Sequence, residues 1–268
     1  MKLEQVQVVY FSAAGSTRRI AQAVAAGTGL PVQEWDATAQ RAQAPFQPTA
    51  NTLTIVAAPN FEGVAPEPFL QKLSQMQGAG MAAVVTTYGA QGLDSVLLQL
   101  QHKAQEQGYR VVGAGAFVAR HSLAPGIASG RPNAEDLTQA QGFGAQLVEL
   151  IDQMQPEQEY TLTLPGKSPY PKTERAGAWI KTSKACVECG RCADACPTGS
   201  IPAEKPCKTN HKTCIACMQC VYVCPAHARH LGRIRQWGIE QILCKKCKPQ
   251  HPNTIWLAAP QTNEQESD

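Results

Sequence analysis

"VQVVYFSAAGSTRRIAQAVAAG", from Val6 to Gly27, is where the architecture of the chain declares itself. Its first six residues, rich in Val and aromatics, read as a short buried strand, and "TRRIAQAVAAG" after them reads as a helix. Between lies "SAAGST" (12–17). A turn carrying hydroxyls and a glycine at the start of a helix is an anion cradle, because backbone N–H groups converge there and the helix terminus favours negative charge. A nucleoside-triphosphate loop would place a lysine directly before its Ser/Thr, and none is present. A dinucleotide loop needs three glycines to let the backbone approach a diphosphate. Here only Gly15 is available, although Asp36 lies at a spacing suited to a ribose contact.

A loop rich in Ser and Thr suits a terminal phosphomonoester, as in FMN. Outward from it, "LTIVAAP" (53–59), "MAAVVTTY" (81–88) and "RVVGAGAFVA" (110–119) are further buried strands, and "PVQEWD" (31–36) is an edge strand. Helical segments lie near 66–77, 93–107 and 134–153. Five strands interleaved with helices predict a parallel, doubly wound α/β sheet over residues 1–164. A polar strand, "EYTLTL", closes this unit. The turn residues of "PGKSPYPK" then mark 165–181 as a linker.

All eleven cysteines lie beyond that point. "CVECGRCADACP" (186–197) returns as "CIACMQCVYVCP" (214–225), a spacing of 28 residues within a module spanning 182–232. Each copy is C-x2-C-x2-C-x3-C-P, the pattern of a [4Fe–4S] site in which the fourth cysteine ligates the other cluster of a two-cluster ferredoxin. Cys186, Cys189, Cys192 and Cys224 are thus expected to hold one cluster, and Cys214, Cys217, Cys220 and Cys196 the second. Pro197 and Pro225 each remove a backbone donor and set the chain's direction after the last ligand. Zinc fits less well, since its sites pair two CxxC units across a longer loop. Cys207, Cys244 and Cys247 remain in two readings. Either they gather around zinc with His211 or His251, or they are reduced thiols facing solvent. The extension 233–268 carries "CKKC" (244–247) and ends in the polar, frayed "QTNEQESD".

Charge divides with the cysteines. Residues 1–164 hold nine Lys/Arg against thirteen Asp/Glu, a net of −4, and residues 165–268 fifteen against eight, a net of +7. Thiolate-bound clusters bring buried negative charge, which explains the basic half without nucleic acid. The N-terminus lacks the basic start, apolar core and cleavage site of a signal peptide. No apolar run approaches the roughly 18–20 residues that span a bilayer. The reading is of a cytosolic chain, where repeated cysteines mean metal.

"YFSAAGSTRRIA" resembles the flavodoxin phosphate loop, with Ser12, Gly15, Ser16 and Thr17 at matching positions, Ala13 between them, and Ala14 in place of a hydroxyl residue. "PNFEG" (Pro59, Asn60, Phe61, Glu62, Gly63) resembles the first flavin-contacting loop, with Phe61 as its aromatic. "TYGAQGLD", beginning Thr87, Tyr88, Gly89, resembles the second, with Leu93 where another aromatic is usual. The cysteine repeats resemble bacterial two-cluster ferredoxins over about fifty residues. "AFVARHSL", "GRPNAEDL", "LPGKSPYP", the double motif and "PAHARHL" together resemble the flavodoxin–ferredoxin fusion proteins of bacteria and archaea, to about residue 232 and more loosely at "NTIWL".

The resemblance implies an electron carrier with FMN, two [4Fe–4S] clusters and redox protein partners. Two alternatives stand beside it. One is a flavin-dependent reductase with His121 or Glu62 as acid or base; the other is a flavin-free docking module. Because ligands bind at the carboxyl ends of the strands of such sheets, the cysteine module should pack there.

Overall fold

The computed structural model describes residues 2–40, 48–89, 92–171, 180–247 and 252–261. Its first half alternates strand and helix as the apolar runs require: β1 (Gln5–Tyr10), α1 (Ser16–Gly27), β2 (Val32–Asp36), β3 (Thr52–Pro59), α2 (Glu67–Leu73), β4 (Met81–Tyr88), α3 (Val96–Glu106), β5 (Arg110–Val118) and α4 (Ala134–Gln153). The strand order is β2-β1-β3-β4-β5 with every pairing parallel. That is the flavodoxin-like order, in which the chain reverses direction between β1 and β3 and opens a crevice at their carboxyl ends.

β3 and β4 are continuous runs of Val, Ile, Ala and Thr because both faces of the sheet are covered. α1 packs against α4, and α2 against α3. The α1–α4 contact is close because both partners present glycine. A Cβ on Gly27 would sit 1.9 Å from the Gln141 carbonyl oxygen, and one on Gly144 2.0 Å from that of Val24. α4 is fixed at its start by a capping box between Asn133 and Asp136, and Asp136 also pairs with Arg131. Burial opposes ionisation of Asp136, yet the bonds from Arg131, Asn133 and Asn253 hold its carboxyl below the usual range.

The sheet has six strands, not the five expected. After β6 (Tyr160–Thr161), β7 (Lys181–Thr182), α5 (Arg191–Asp194), α6 (Gln219–Tyr222), β8 (Arg229–His230) and α7 (Arg233–Lys246), the tail returns. There β9 (Thr254–Leu257) pairs antiparallel with β5, and β10 (Ala259–Pro260) pairs with β6. An antiparallel edge strand on a parallel sheet is common. Four residues are too short to announce one by periodicity, and it is held by distant bonds: Val118 N donates to Asn253 Oδ1 at 2.9 Å, and Tyr88 Oη to the Pro252 carbonyl at 3.0 Å. "EYTLTL" contributes only the two residues of β6. α7 had no apolar period to reveal it: Ile234, Trp237 and Ile242 face solvent.

The cysteine module is built around a small core of its own, with β7 paired antiparallel to β8. Its repeat is conformational as well as chemical. Glu188 and Ala216 both have φ near +50° (52° and 55°), and Gly190 and Met218 both cap a four-residue helix from the left-handed region (φ 77° and 67°). Met218 accepts a backbone shape that glycine takes freely, because the repeated ligand geometry demands it. Residues 165–171 of the expected linker run along α3, where Ser95 Oγ bonds Lys167. Residues 172–179 of that linker lie outside the described residues, as do 90–91, His251 and the tail from 262.

Candidate functional site

A cavity of about 490 Å3 opens at the carboxyl ends of β1, β3, β4 and β5. Ala13, Ala14, Ser16 and Thr17 form one wall, Pro59 to Gly63 a second, and Thr87, Tyr88 and Gly89 a third. Its volume suits a cofactor, for which sites run to roughly 300–1,000 Å3. The three loops expected from the sequence therefore converge on one space. Ser12 and Gly15 act from behind it.

Ser12 Oγ accepts from Arg18 N at 3.0 Å, and Ser12 N donates to Thr38 Oγ1 at 2.8 Å, so this hydroxyl shapes the loop. Gly15 precedes α1 with φ +85°, and a Cβ there would meet nothing within 4 Å. The glycine is required by its dihedral, not by crowding from the protein. Ser16 and Thr17 begin the helix, where amide N–H groups have no helical carbonyl behind them. With Arg18 N on Ser12 Oγ and Arg19 N on the Gly15 carbonyl, the first turn is ordered at the wall of the cavity, where a helix N-terminus favours an anion. This fits a phosphomonoester.

The second and third walls are braced by Asn60. Its Nδ2 donates to the Gly92 carbonyl at 2.8 Å, and its Oδ1 accepts from Gly63 N at 2.7 Å. Phe61 meets Phe11 edge-on, with ring centroids 6.3 Å apart, and is half-buried where it borders the cavity. Tyr88 is 5% exposed, and burial pushes its phenol pKa upward, so it packs the strand end. Leu93 is half-buried against the core. His121 borders the same cavity and lies against Gly89. A Cβ on Gly89 would lie 2.5 Å from the His121 ring. His121 Nδ1 accepts from Leu123 N at 3.2 Å, which leaves the proton of the neutral ring on Nε2. Burial lowers the His121 pKa and favours that neutral form.

The fourth wall comes from outside the sheet. Ile215, Ala216 and Cys217 of the second cysteine motif line the cavity, as do Ile239 and Leu243 of α7. The Arg120 guanidinium, from the loop after β5, lies 5.7 Å from the Tyr222 ring centroid in α6 and clasps the two units together. The cysteine module thus packs at the carboxyl ends of the strands.

The eight motif cysteines fall into two groups in space. Cys186, Cys189, Cys192 and Cys224 line one small cavity; Cys196, Cys214, Cys217 and Cys220 line another. Each group takes its fourth member from the other motif. Ser200 N donates to Cys196 Sγ at 3.2 Å, and Ala228 N to Cys224 Sγ at 3.3 Å, the N–H···S bonds that stabilise ligand sulfurs. Burial pushes the Cys217 thiol far up and Cys220 to about 12, with Cys192 and Cys214 also raised. Thiolates here need a cationic partner. At Cys224 burial also acts upward, but backbone N–H groups from Ala228, Arg229 and Ala226 and the charge of Arg229 bring the net shift below normal. Among the described residues no three His, Cys, Asp or Glu side chains converge closely enough to hold a single metal ion. Four sulfurs spread around a shared hollow are what a cluster needs, and they fit [4Fe–4S].

Cys207, Cys244 and Cys247 do not gather. The Cys207 carbonyl accepts from Thr182 Oγ1, Cys244 is exposed, and Cys247 Sγ donates to the Gly89 carbonyl at 3.4 Å. Two features of the site escaped sequence reasoning: the α7 wall, and Arg229, buried beside the first cysteine cavity. The latter had one signal, an arginine five positions after Cys224, set between His227 and His230. No described helix is long and apolar enough to cross a membrane.

Residues 178–225 match the 4Fe-4S dicluster domain family. No curated protein matches the chain. Among solved structures, a flavodoxin from the domain Archaea is 17% identical, with 55% of this chain and 99% of that one covered at a TM-score of 0.42. An NADH:FMN oxidoreductase in its apo form is 14% identical over 57% of this chain and 92% of its own, also at 0.42. The rubredoxin oxygen:oxidoreductase of the anaerobe Desulfovibrio gigas is 14% identical, covering 57% of this chain but 38% of its own, at 0.39. The flavodoxin-like assignment rests on the strand order itself. The chain joins a flavodoxin-like sheet to a ferredoxin-type domain that binds [4Fe–4S], and its general chemistry is redox electron transfer.

Proposed function

We propose that this chain is an electron carrier that holds two [4Fe–4S] clusters and FMN and passes electrons between them and external redox proteins. The carrying observation is Cys217. It lines both the second cysteine cavity and the large cavity at the sheet's carboxyl end.

When bound, the clusters would exchange single electrons and the flavin one or two. The chain's own residues supply position. Ser16, Thr17 and the amides at the start of α1 would receive the phosphate, aided by the hydroxyl ring of Thr17 and Thr87. Asn60 fixes the two loops beside it, and Phe61 offers an apolar edge. Ile215, Ala216 and Leu243 give the cavity an apolar wall on the side of the cysteine module. The two cysteine groups would each take a cluster, with Cys196 and Cys224 as crossed fourth ligands.

A second reading, a flavin-dependent reductase, is supported by His121. A neutral imidazole with its proton on Nε2, held in the wall of the cavity, can donate to a small substrate. Metal and cofactor analysis tests the proposal. Protein purified without oxygen should carry about eight iron, eight sulfide and one FMN per chain. About four iron after full reconstitution would overturn the two-cluster assignment, and FAD bound as readily as FMN would overturn the phosphate-loop assignment.

A further inference from the structure

Arg229 is the only lysine or arginine among the described residues that is buried, at 2% exposure. It sits in β8, directly after the second cysteine motif, and its backbone pairs with Thr182 of β7. Its Nη1 donates to Thr209 Oγ1 at 2.6 Å, and its Nη2 to the carbonyls of Lys208 (3.0 Å) and Pro206. Its Nε is buried without a partner. None of the described carboxylates lies within ion-pair distance of it.

A buried cation without a counter-charge is unfavourable, and such groups are retained where a charge of opposite sign joins them. Arg229 lines the first cysteine cavity together with Cys186, Cys189, Cys192 and Cys224. It does not line the second cavity, so its charge acts first on the first group. The missing counter-charge is supplied when the cysteines carry a cluster.

We propose that Arg229 is the buried counter-charge that sets the reduction potential of the cluster in the first cysteine cavity, with a smaller effect on the second. The inference rests on the two-cluster reading above. Reduction adds one electron to a cluster that already carries net negative charge, and no proton need accompany it. A fixed positive charge in a poorly screened site stabilises the reduced state more than the oxidised one, so it raises the potential. The rival role is mechanical, since the same guanidinium ties down residues 206–209.

Iron analysis of the wild-type protein comes first: absence of clusters there would sink the two-cluster reading and this inference with it, whereas the titration that follows tests this inference alone. The test is then an EPR-monitored titration of wild type, Arg229→Gln and Arg229→Lys, each with matched iron content. Arg229→Gln should move the potential of one cluster clearly to more negative values and the other less, while Arg229→Lys, which keeps the charge but loses the fork, should stay near wild type. Unchanged potentials in Arg229→Gln, or equal shifts in both variants, would overturn the proposal. If Arg229→Gln retains no iron, Arg191→Gln protein labelled with 15N in its arginine side chains decides instead, because Arg191 is the other arginine at that cavity. A 15N coupling to the reduced cluster supports the assignment, and its absence refutes it.

Discussion

The hydroxyls of Thr17 and Thr87 lie 2.7 Å apart in a buried contact, although 70 residues separate them in sequence. One opens α1 beside the phosphate loop; the other ends β4 at the third wall of the cavity. The bond fixes the width of the cavity at the point where the phosphate would enter. Removing it by Thr17→Val leaves the Thr87 hydroxyl buried and unpaired, at a cost of about 1–3 kcal/mol. Urea unfolding of the apo-protein should register that loss, and FMN affinity should fall about tenfold or more.

Gly15 is needed for its dihedral and not for space, which separates two substitutions. Gly15→Val places a β-branched residue at φ +85°, where it is strained, and should remove FMN binding. Gly15→Asn tolerates the left-handed region and should bind FMN within a few-fold of wild type. Calorimetry on the refilled apo-protein checks both. Ala14→Thr, which adds a hydroxyl to the cavity wall, should bind more tightly.

The crossed fourth ligands make an asymmetric prediction. Cys196→Ala should damage the cluster held by Cys214, Cys217 and Cys220, and Cys224→Ala the one held by Cys186, Cys189 and Cys192. EPR of the two single variants distinguishes the centres. Loss of each motif's own cluster in both variants would mean that the ligands do not cross.

His121 gives a pH signature. Its pKa is lowered in the fold by burial, so the unfolded chain binds the proton more readily. Its contribution to stability is complete above the unfolded value of about 6.5 and is lost as pH falls through the folded one. Thermal midpoints of the holo-protein should therefore drop below pH 6.5 more steeply in wild type than in His121→Gln. Parallel profiles would show that the imidazole titrates freely.

What could be read in advance depended on how local each signal was. Each cysteine motif spans twelve residues, and the loop 12–17 lies between one strand and one helix, so the places of both in the fold were legible. β9 was not foreseen as the sixth strand, because its place depends on Asn253 reaching Val118 and Asp136 across the fold. α7 was hidden for a similar reason. Its inward residues Ile239 and Leu243 are too few to set a period, while Ile234 and Trp237 face water. Nothing local in "PAHARHL" marks Arg229 as buried; its burial follows only once the two motifs fold around it.

Electron transfer within one chain is the central claim, and its kinetics test it most directly. Fully loaded protein is mixed without oxygen with a one-electron reductant that reduces the clusters, and the flavin absorbance is followed at several protein concentrations. The account predicts that flavin reduction follows cluster reduction at a rate independent of protein concentration, because Cys217 borders both sites. A rate proportional to protein concentration, or a flavin that stays oxidised beside reduced clusters, would contradict it.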